Sequence, residues 1–136
     1  MKVNSCFTVG IGMPRVRYLM SSPVVTIRPD ATVYEAIKVM AEKRIGSLVV
    51  TENEEIKGIF TERDLISRVL AKDLDPKKTT VKEVMTPAPL VTIDPDAEVS
   101  EAALLMVRRR IRRLPVIEDG KLVGIITAAD LYYRVF

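Results

Sequence analysis

A duplication constrains this chain more than any other feature. Val24–Leu70 aligns without a gap to Leu90–Phe136, and close to half of the aligned positions are identical. GIFTERD, from Gly58 to Asp64, recurs as GIITAAD, from Gly124 to Asp130. Pro29-Asp30-Ala31 recurs as Pro95-Asp96-Ala97. Ahead of each copy, VRYLMSSP and VKEVMTPAP resemble one another after a one-residue gap. The period exceeds that of solenoid units, so two copies of a small domain explain it better than a repeat array.

Each copy shows the same succession of local signals. VVTI and LVTI are short β-rich runs ended by a Pro-Asp turn. A helix follows, because Val33, Ala36, Ile37, Met40 and Ala41 recur at the spacing of one helical face, and Val99, Ala102, Ala103, Met106 and Val107 repeat it. Thr32 and Glu35 have capping-box spacing at the start of the first helix. Two strands come next, SLVV with IKGIF and LPVI with KLVGII. Asp119-Gly120 between the latter two suits a hairpin turn with positive φ at both central positions. Glu54-Glu55 falls in the corresponding turn of the first copy and reads as solvated loop. A last helix carries Leu65, Ile66, Val69 and Leu70, matched by Leu131, Tyr132, Val135 and Phe136.

The expected architecture is therefore α/β (α+β): two β-α-β-β-α repeats packed as a pseudo-twofold pair, since one unit is too small to cover both faces of its sheet. Residues 1–13 read as an N-terminal extension, 14–71 as the first repeat, 72–80 as a polar linker and 81–136 as the second repeat. The apolar faces of the terminal helices (Leu131, Tyr132, Val135, Phe136) suggest a homodimer.

Composition narrows the chemistry. The 136 residues include no histidine and one cysteine, Cys6. The commonest general base and transition-metal ligand is thus missing, and an intrachain disulfide is impossible. With no histidine and a single cysteine a zinc site is not expected, though an Asp/Glu magnesium site stays open, and with no Ser or Cys nucleophile accompanied by a base neither is an enzyme. No apolar run approaches the roughly 20 residues of a membrane helix. The N-terminus is a poor signal peptide, so a cytoplasmic location without membrane attachment is the expectation. The net charge of +3 mildly favours anionic partners.

The repeated Gly-Ile-x-Thr-x-x-Asp motif admits two readings. Thr61 and Asp64, like Thr127 and Asp130, fall where a strand becomes a helix. A Thr cap with an acid three residues on stabilises that helix start. The same groups also suit a nucleoside phosphate, for a Thr hydroxyl can donate to phosphate and a carboxylate can accept both hydroxyls of a ribose diol. Gly58 and Gly124, inside strands, mark close approach of a ligand or of another backbone.

The combination of VTIRPDATVYEAIKVM, IGSLVV and GIFTERDL with VTIDPDAEVSEAALLM, IRRLPVIEDGKLVGIIT and TAADL resembles a tandem pair of cystathionine-β-synthase (CBS) domains, a Bateman module. The resemblance covers about residues 14–136. It implies two clefts that take adenosine compounds such as AMP, ADP, ATP or an S-adenosyl ligand, with no cofactor. Carried over, one cleft has Thr61, Arg63 and Asp64 facing Val91, Ile111 and Arg112, and the other has Thr127, Ala129 and Asp130 facing Val25, Ile45 and Gly46. Arg112 and Arg113 fall where the family often places basic residues that meet phosphate. The departures are IGSLVV, which lacks a basic residue and a Pro, and Ala128-Ala129 in the second motif. The resemblance implies a non-enzymatic regulatory module acting on a separate, unknown protein or on its own assembly. Two alternatives stay open: nucleic-acid binding through RRRIRR, residues 108–113, and a structural dimer with vestigial clefts.

Overall fold

The computed structural model describes residues 13–135. They form a mixed α+β fold with two sheets, divided into two compact units. Neither unit is a contiguous repeat. The central unit is Val25–Leu90, and the split unit joins residues up to Val24 to those from Val91 onward. Cys6 and Phe136 lie outside the described residues, as does most of the 1–13 extension. Among the described residues no helix is long and apolar enough to cross a membrane.

The central unit contains β1 (Thr26–Ile27), α2 (Val33–Lys43), β2 (Ser47–Glu52), β3 (Glu55–Thr61), α3 (Glu62–Asp64) continuing as a π-helix (Leu65–Leu70), α4 (Val81–Val84) and β4 (Thr86–Pro87). Helix α1 (Val16–Leu19) belongs to the split unit. The sheet order is β1-β2-β3-β4, with β1 parallel to β2 and the other pairs antiparallel. Val33, Ala36, Met40, Leu48, Val50, Phe60, Val69, Val81 and Val84 form its core. The predicted capping box is present at α2, where Glu35 N–H donates to Thr32 Oγ1 at 3.1 Å and Thr32 N–H to Glu35 Oε1 at 2.8 Å.

The split unit contains α1, α5 (Val99–Arg109), β5 (Arg113–Glu118), β6 (Lys121–Thr127) and α6 (Ala128–Val135). Its core gathers Val16, Leu19, Ile93, Val99, Ala102, Met106, Leu114, Val116, Ile126 and Leu131. The counterparts of β1 and β4 shrink here to single bridges, Ile93 to Val116 and Ser21 to Ile125.

A repeat alone would leave the outer edge of its hairpin open, and open edges invite mispairing. In each unit the edge is covered by the segment that precedes the other repeat in sequence. In the central unit β4 pairs with β3, Val81 N–H donates to Ala31 O at 2.8 Å, and Lys82 N–H donates to Pro29 O at 3.0 Å. In the split unit Ser21 N–H donates to Ile125 O at 2.9 Å, Val16 N–H to Ala97 O at 2.9 Å and Arg17 N–H to Pro95 O at 2.8 Å. The Arg17 guanidinium ties α1 down further through Asp96 (3.1 Å) and Glu118 (2.7 Å). These carboxylates raise its already high pKa, the Glu118 hydrogen bond most of all.

The two glycines explain why the covering segments fit. A Cβ on Gly58 would run into the carbonyl oxygen of Thr86 and sit 2.7 Å from Met85 Sδ. One on Gly124 would strike Met20 and come within 3.1 Å of Ser21 O. At both glycines the close approach is that of the covering segment, led by the Thr86 carbonyl at Gly58 and by the Met20 side chain at Gly124.

Several expectations are corrected. Leu131 is 8% exposed and belongs to the core, so it is not on an outward apolar face, whereas Tyr132 is 65% exposed. Val107, expected on the buried stripe of its helix, is 75% exposed. It lies eight residues beyond Val99, hence about 80° round the helix at 3.6 residues per turn, at the margin of the buried face. Ala41 is exposed for the same reason. The hairpin turn of the first copy is Asn53-Glu54, with φ of 53° and 65°, while Glu55 already belongs to β3. Asp119-Gly120 takes the expected turn, with φ of 52° and 78°. The linker is ordered against α2: Thr79 O accepts from Val33 N–H at 2.8 Å and Pro76 O from Tyr34 N–H at 3.0 Å.

Candidate functional site

Where β3 gives way to α3, Thr61 is extended (φ −123°, ψ 167°) and so presents its side chain to the first helical turn. Asp64 N–H donates to Thr61 Oγ1 at 3.2 Å, and Thr61 N–H donates back to Asp64 Oδ2 at 3.0 Å. This reciprocal pair caps the helix. The Thr61 hydroxyl also reaches Oδ2, at 3.2 Å. The other carboxylate oxygen, Oδ1, accepts from the Thr86 hydroxyl at 3.3 Å and lies 3.7 Å from Arg68 Nε. Arg68 Nη1 donates in turn to Met85 O at 2.9 Å. Asp64 is 4% exposed, a buried carboxylate with each oxygen engaged. Glu62 N–H donates to Gly46 O at 3.0 Å, which brings the loop before β2 onto this corner. Arg63 is exposed beside it, and Val25 and Ile45 pack on the adjacent core.

The split unit repeats the corner with different occupancy. Thr127 N–H donates to Asp130 Oδ2 at 2.9 Å, and Asp130 N–H to Thr127 Oγ1 at 3.2 Å. Among the described residues Asp130 Oδ1 has no hydrogen-bond donor, and Asp130 is only half-buried. Ala128 N–H donates to Arg112 O at 2.8 Å, so the basic loop sits on this corner as Gly46 does on the other. The Arg112 side chain is exposed. Arg113 is half-buried and opens β5 opposite Thr127. Ala129 is exposed, and Val91 and Ile111 pack on the split-unit core.

The predicted residues thus divide between the units. Thr61, Arg63, Asp64, Val25, Ile45 and Gly46 belong to the central one, and Val91, Ile111, Arg112, Arg113, Thr127, Ala129 and Asp130 to the split one. Within a unit, the loop before the hairpin is brought to the Thr–Asp corner of the same repeat. Thr86 and Arg68 escaped the sequence reading, yet both contact Asp64. Thr86 had a detectable signal, since the matched segments MSS and MTP put a hydroxyl residue, Ser21 or Thr86, at one position. The cap reading of Thr61 and Asp64 is realised. In the split unit it still leaves one carboxylate oxygen and an exposed guanidinium available to a ligand.

The CBS domain family matches residues 16–71 and 81–136. An uncharacterized protein of Methanopyrus kandleri, MK0525, is 43% identical over 110 residues, 79% of this chain and 56% of that protein, so this chain spans little more than half of its length. The CBS domain-containing protein YhcV of Bacillus subtilis is 36% identical over 88% of this chain and 84% of its own. Among solved structures, the CBS domain pair of protein MJ0100, in complex with 5-methylthioadenosine and S-adenosyl-L-methionine, superposes with a TM-score of 0.80. It is 28% identical over 89% of this chain and 94% of that one.

Proposed function

The chain belongs to the CBS domain family, as a tandem pair, and from that premise we propose that it is a non-enzymatic regulatory module that binds an adenosine ligand, either AMP, ADP, ATP or an S-adenosyl compound. The observation that carries the reading is the split-unit corner, where Asp130 Oδ1 has no donor among the described residues beside a loop ending in an exposed arginine. A carboxylate oxygen accepts ribose hydroxyls, and a guanidinium forks onto phosphate. Thr127 adds a hydroxyl, Arg112 and Arg113 serve the phosphate, and Val91 and Ile111 offer apolar surface for the base. Thr61, Arg63, Asp64, Val25, Ile45 and Gly46 form the counterpart in the central unit, a grouping by unit that replaces the cross-repeat facing expected from the sequence. The complex of the MJ0100 pair with two adenosine compounds supports this ligand class.

Binding alters another protein only if the ligand prefers one of two conformations. The output is a separate protein or a change in self-assembly. The test is a thermal-shift panel of AMP, ADP, ATP, S-adenosylmethionine, NAD and guanine nucleotides, followed by calorimetry on Asp130→Ala. A ligand at 100 times its dissociation constant adds about 2.7 kcal/mol of stability. We expect an adenine compound to do so, and Asp130→Ala to weaken it tenfold or more, a change of about 1.4 kcal/mol. If no adenine compound raises the melting temperature, the reading fails.

A further inference from the structure

A methionine seats each covering segment on its hairpin. Met85 immediately precedes Thr86 of β4, and Met20 precedes Ser21 at the matched place in the split unit. Each side chain lies against a strand glycine. A methyl group on Gly58 would come within 2.7 Å of Met85 Sδ and 3.2 Å of its Cε. One on Gly124 would strike Met20 Sδ and come within 2.9 Å of its Cγ. Neither sulfur therefore has space for a further atom on its glycine side. The methionines also differ in their access to solvent. Met40 and Met106, on α2 and α5, are each 6% exposed. Met20 and Met85 touch their cores but are only half-buried, as is Met13.

We propose that Met20 and Met85 are oxidation sites for a peroxide, and that their sulfoxides release the covering segments from the hairpin edges. The thioether sulfur gives an electron pair to one peroxide oxygen and the O–O bond breaks. That oxygen stays on sulfur, and with hydrogen peroxide the other leaves as water with both protons. The sulfur is thus oxidised by two electrons and the peroxide reduced. A sulfoxide is larger than the thioether and polar, so its oxygen needs a hydrogen-bond donor or water. The seat on the glycine has no room for it, and the side chain must withdraw.

In the central unit that withdrawal reaches beyond the edge itself. Thr86, the next residue, places its hydroxyl 3.3 Å from Asp64 Oδ1 and pairs with Ile59. Met85 O accepts from Arg68 Nη1 at 2.9 Å. Displacement of Met85 therefore loosens both groups that stand at Asp64 Oδ1 together with the β3–β4 pairing. In the split unit the bonds at stake are Ser21 N–H to Ile125 O at 2.9 Å and Ile125 N–H to Ser21 O at 3.1 Å. The device is independent of the ligand reading, since it requires no occupied corner.

The experiment is oxidation of the full chain with hydrogen peroxide, followed by peptide mass spectrometry and amide hydrogen exchange. Met20 and Met85 should each gain one oxygen well before Met40 and Met106. The amides of Ala88, Ser21 and Ile125 hold the covering segments to Lys57 O, Ile125 O and Ser21 O. On oxidation they should exchange at least about tenfold faster, as local opening becomes easier. Methionine sulfoxide reductases with a dithiol reductant should restore slow exchange. The double variant Met20→Leu with Met85→Leu keeps the apolar volume, so its exchange should ignore peroxide even while Met13 is oxidised. Met85→Gln, polar at the same length, should speed exchange at Ala88 with no peroxide added. The proposal is overturned if Met20 and Met85 oxidise no faster than Met40 and Met106, or if they oxidise without faster exchange. It is equally overturned if the leucine variant still responds to peroxide, or if Met85→Gln leaves Ala88 as slow as in the parent.

Discussion

Replacing Gly58 by Ala tests whether the covering segment, rather than a ligand, explains the glycine. No positive φ is involved at Gly58, so alanine is free to adopt its backbone conformation. Two effects then compete. Alanine narrows the unfolded ensemble and so adds about 0.4–1 kcal/mol of stability. Against that, its Cβ meets Thr86 O and stands 2.7 Å from Met85 Sδ, where ordinary contacts begin near 3.4 Å. Met85 can swing away, but the Thr86 carbonyl belongs to β4, which is paired to β3 through Ile59–Thr86 and Gly58–Pro87. Its retreat loosens that pairing, and overpacking of this kind costs about 1–3 kcal/mol. The clash wins, for a net loss of about 1–2 kcal/mol, or roughly 5 °C in melting temperature for a domain of this size. Gly124→Ala should lose less, because its nearest obstacle is the flexible Met20 side chain, and Ser21 O at 3.1 Å must yield by only a few tenths of an ångström. Urea denaturation of both variants, each combined with Met85→Ala or Met20→Ala in a double-mutant cycle, separates the two cases. Met20→Ala should relieve Gly124→Ala, whereas Met85→Ala should leave most of the Gly58→Ala loss in place. A neutral Gly58→Ala, or full relief by Met85→Ala, would refute the backbone-contact argument.

Asp64→Ala should cost about 1–3 kcal/mol in chemical denaturation, since Thr61 N–H and the Thr86 hydroxyl lose a buried charged acceptor, whereas Asp130→Ala should cost about 1 kcal/mol, the usual value of a cap. Hydrogen bonds from the Thr80 hydroxyl (2.7 Å) and the Thr80 N–H (2.9 Å) hold the Glu83 carboxyl below its ordinary value of 4.5. The depressed value means that this contribution is complete above about pH 4.5 and is lost as pH falls through the folded-state value. Melting curves across that acid range should therefore flatten in Glu83→Gln, which no longer titrates. Arg44 and Arg110 end their helices in the left-handed region, with φ of 57° and 56°. Arg44→Gly and Arg110→Gly should each stabilise the chain by about 0.5–1 kcal/mol in thermal melts, because glycine has no Cβ to clash there.

Much of the fold was legible because its signals are local. Thr32 and Glu35 form their capping box within one turn, and Asp119-Gly120 takes the turn its residue types favour. The exchange of covering segments was not legible, because it is a long-range choice. Val16 and Leu19 read as one apolar face of a short helix whichever sheet they meet. Only the packing shows that they join Ile93, Leu114 and Ile126. The π-helix was invisible for a related reason. Leu65, Ile66 and Val69 suit an α-helix, as their counterparts Leu131, Tyr132 and Val135 form in α6, and the shift shows in the Ala71 N–H donating to Ile66 O at 2.9 Å. Ile66 and Leu70 are consequently known as exposed residues from the structure alone.

At the Thr–Asp corners the sequence posed a choice between helix cap and ligand site, and the geometry shows the cap at both, with the two corners differing at the second carboxylate oxygen. A carboxylate has two oxygens and about four lone-pair positions. The cap consumes Oδ2 in both units, through Thr61 N–H and through Thr127 N–H. What differs is Oδ1, and the difference comes from outside the motif. In the central unit Thr86 and Arg68 stand at Oδ1 of Asp64. In the split unit the aligned position holds Ser21, whose exposed side chain makes no hydrogen bond to Asp130 among the described residues. A seven-residue motif therefore cannot reveal at which corner Oδ1 is engaged by the protein itself. That depends on a residue which lies over 20 positions downstream of Asp64 in one unit and over 100 upstream of Asp130 in the other. Thr86→Ala isolates this effect, because it uncovers Oδ1 of Asp64 while leaving the Thr61 cap intact. Its expected outcome is a central-unit corner that gains affinity for an adenosine ligand, read by calorimetry in an Asp130→Ala background. Unchanged binding there would mean that Arg68, not Thr86, keeps the carboxylate engaged.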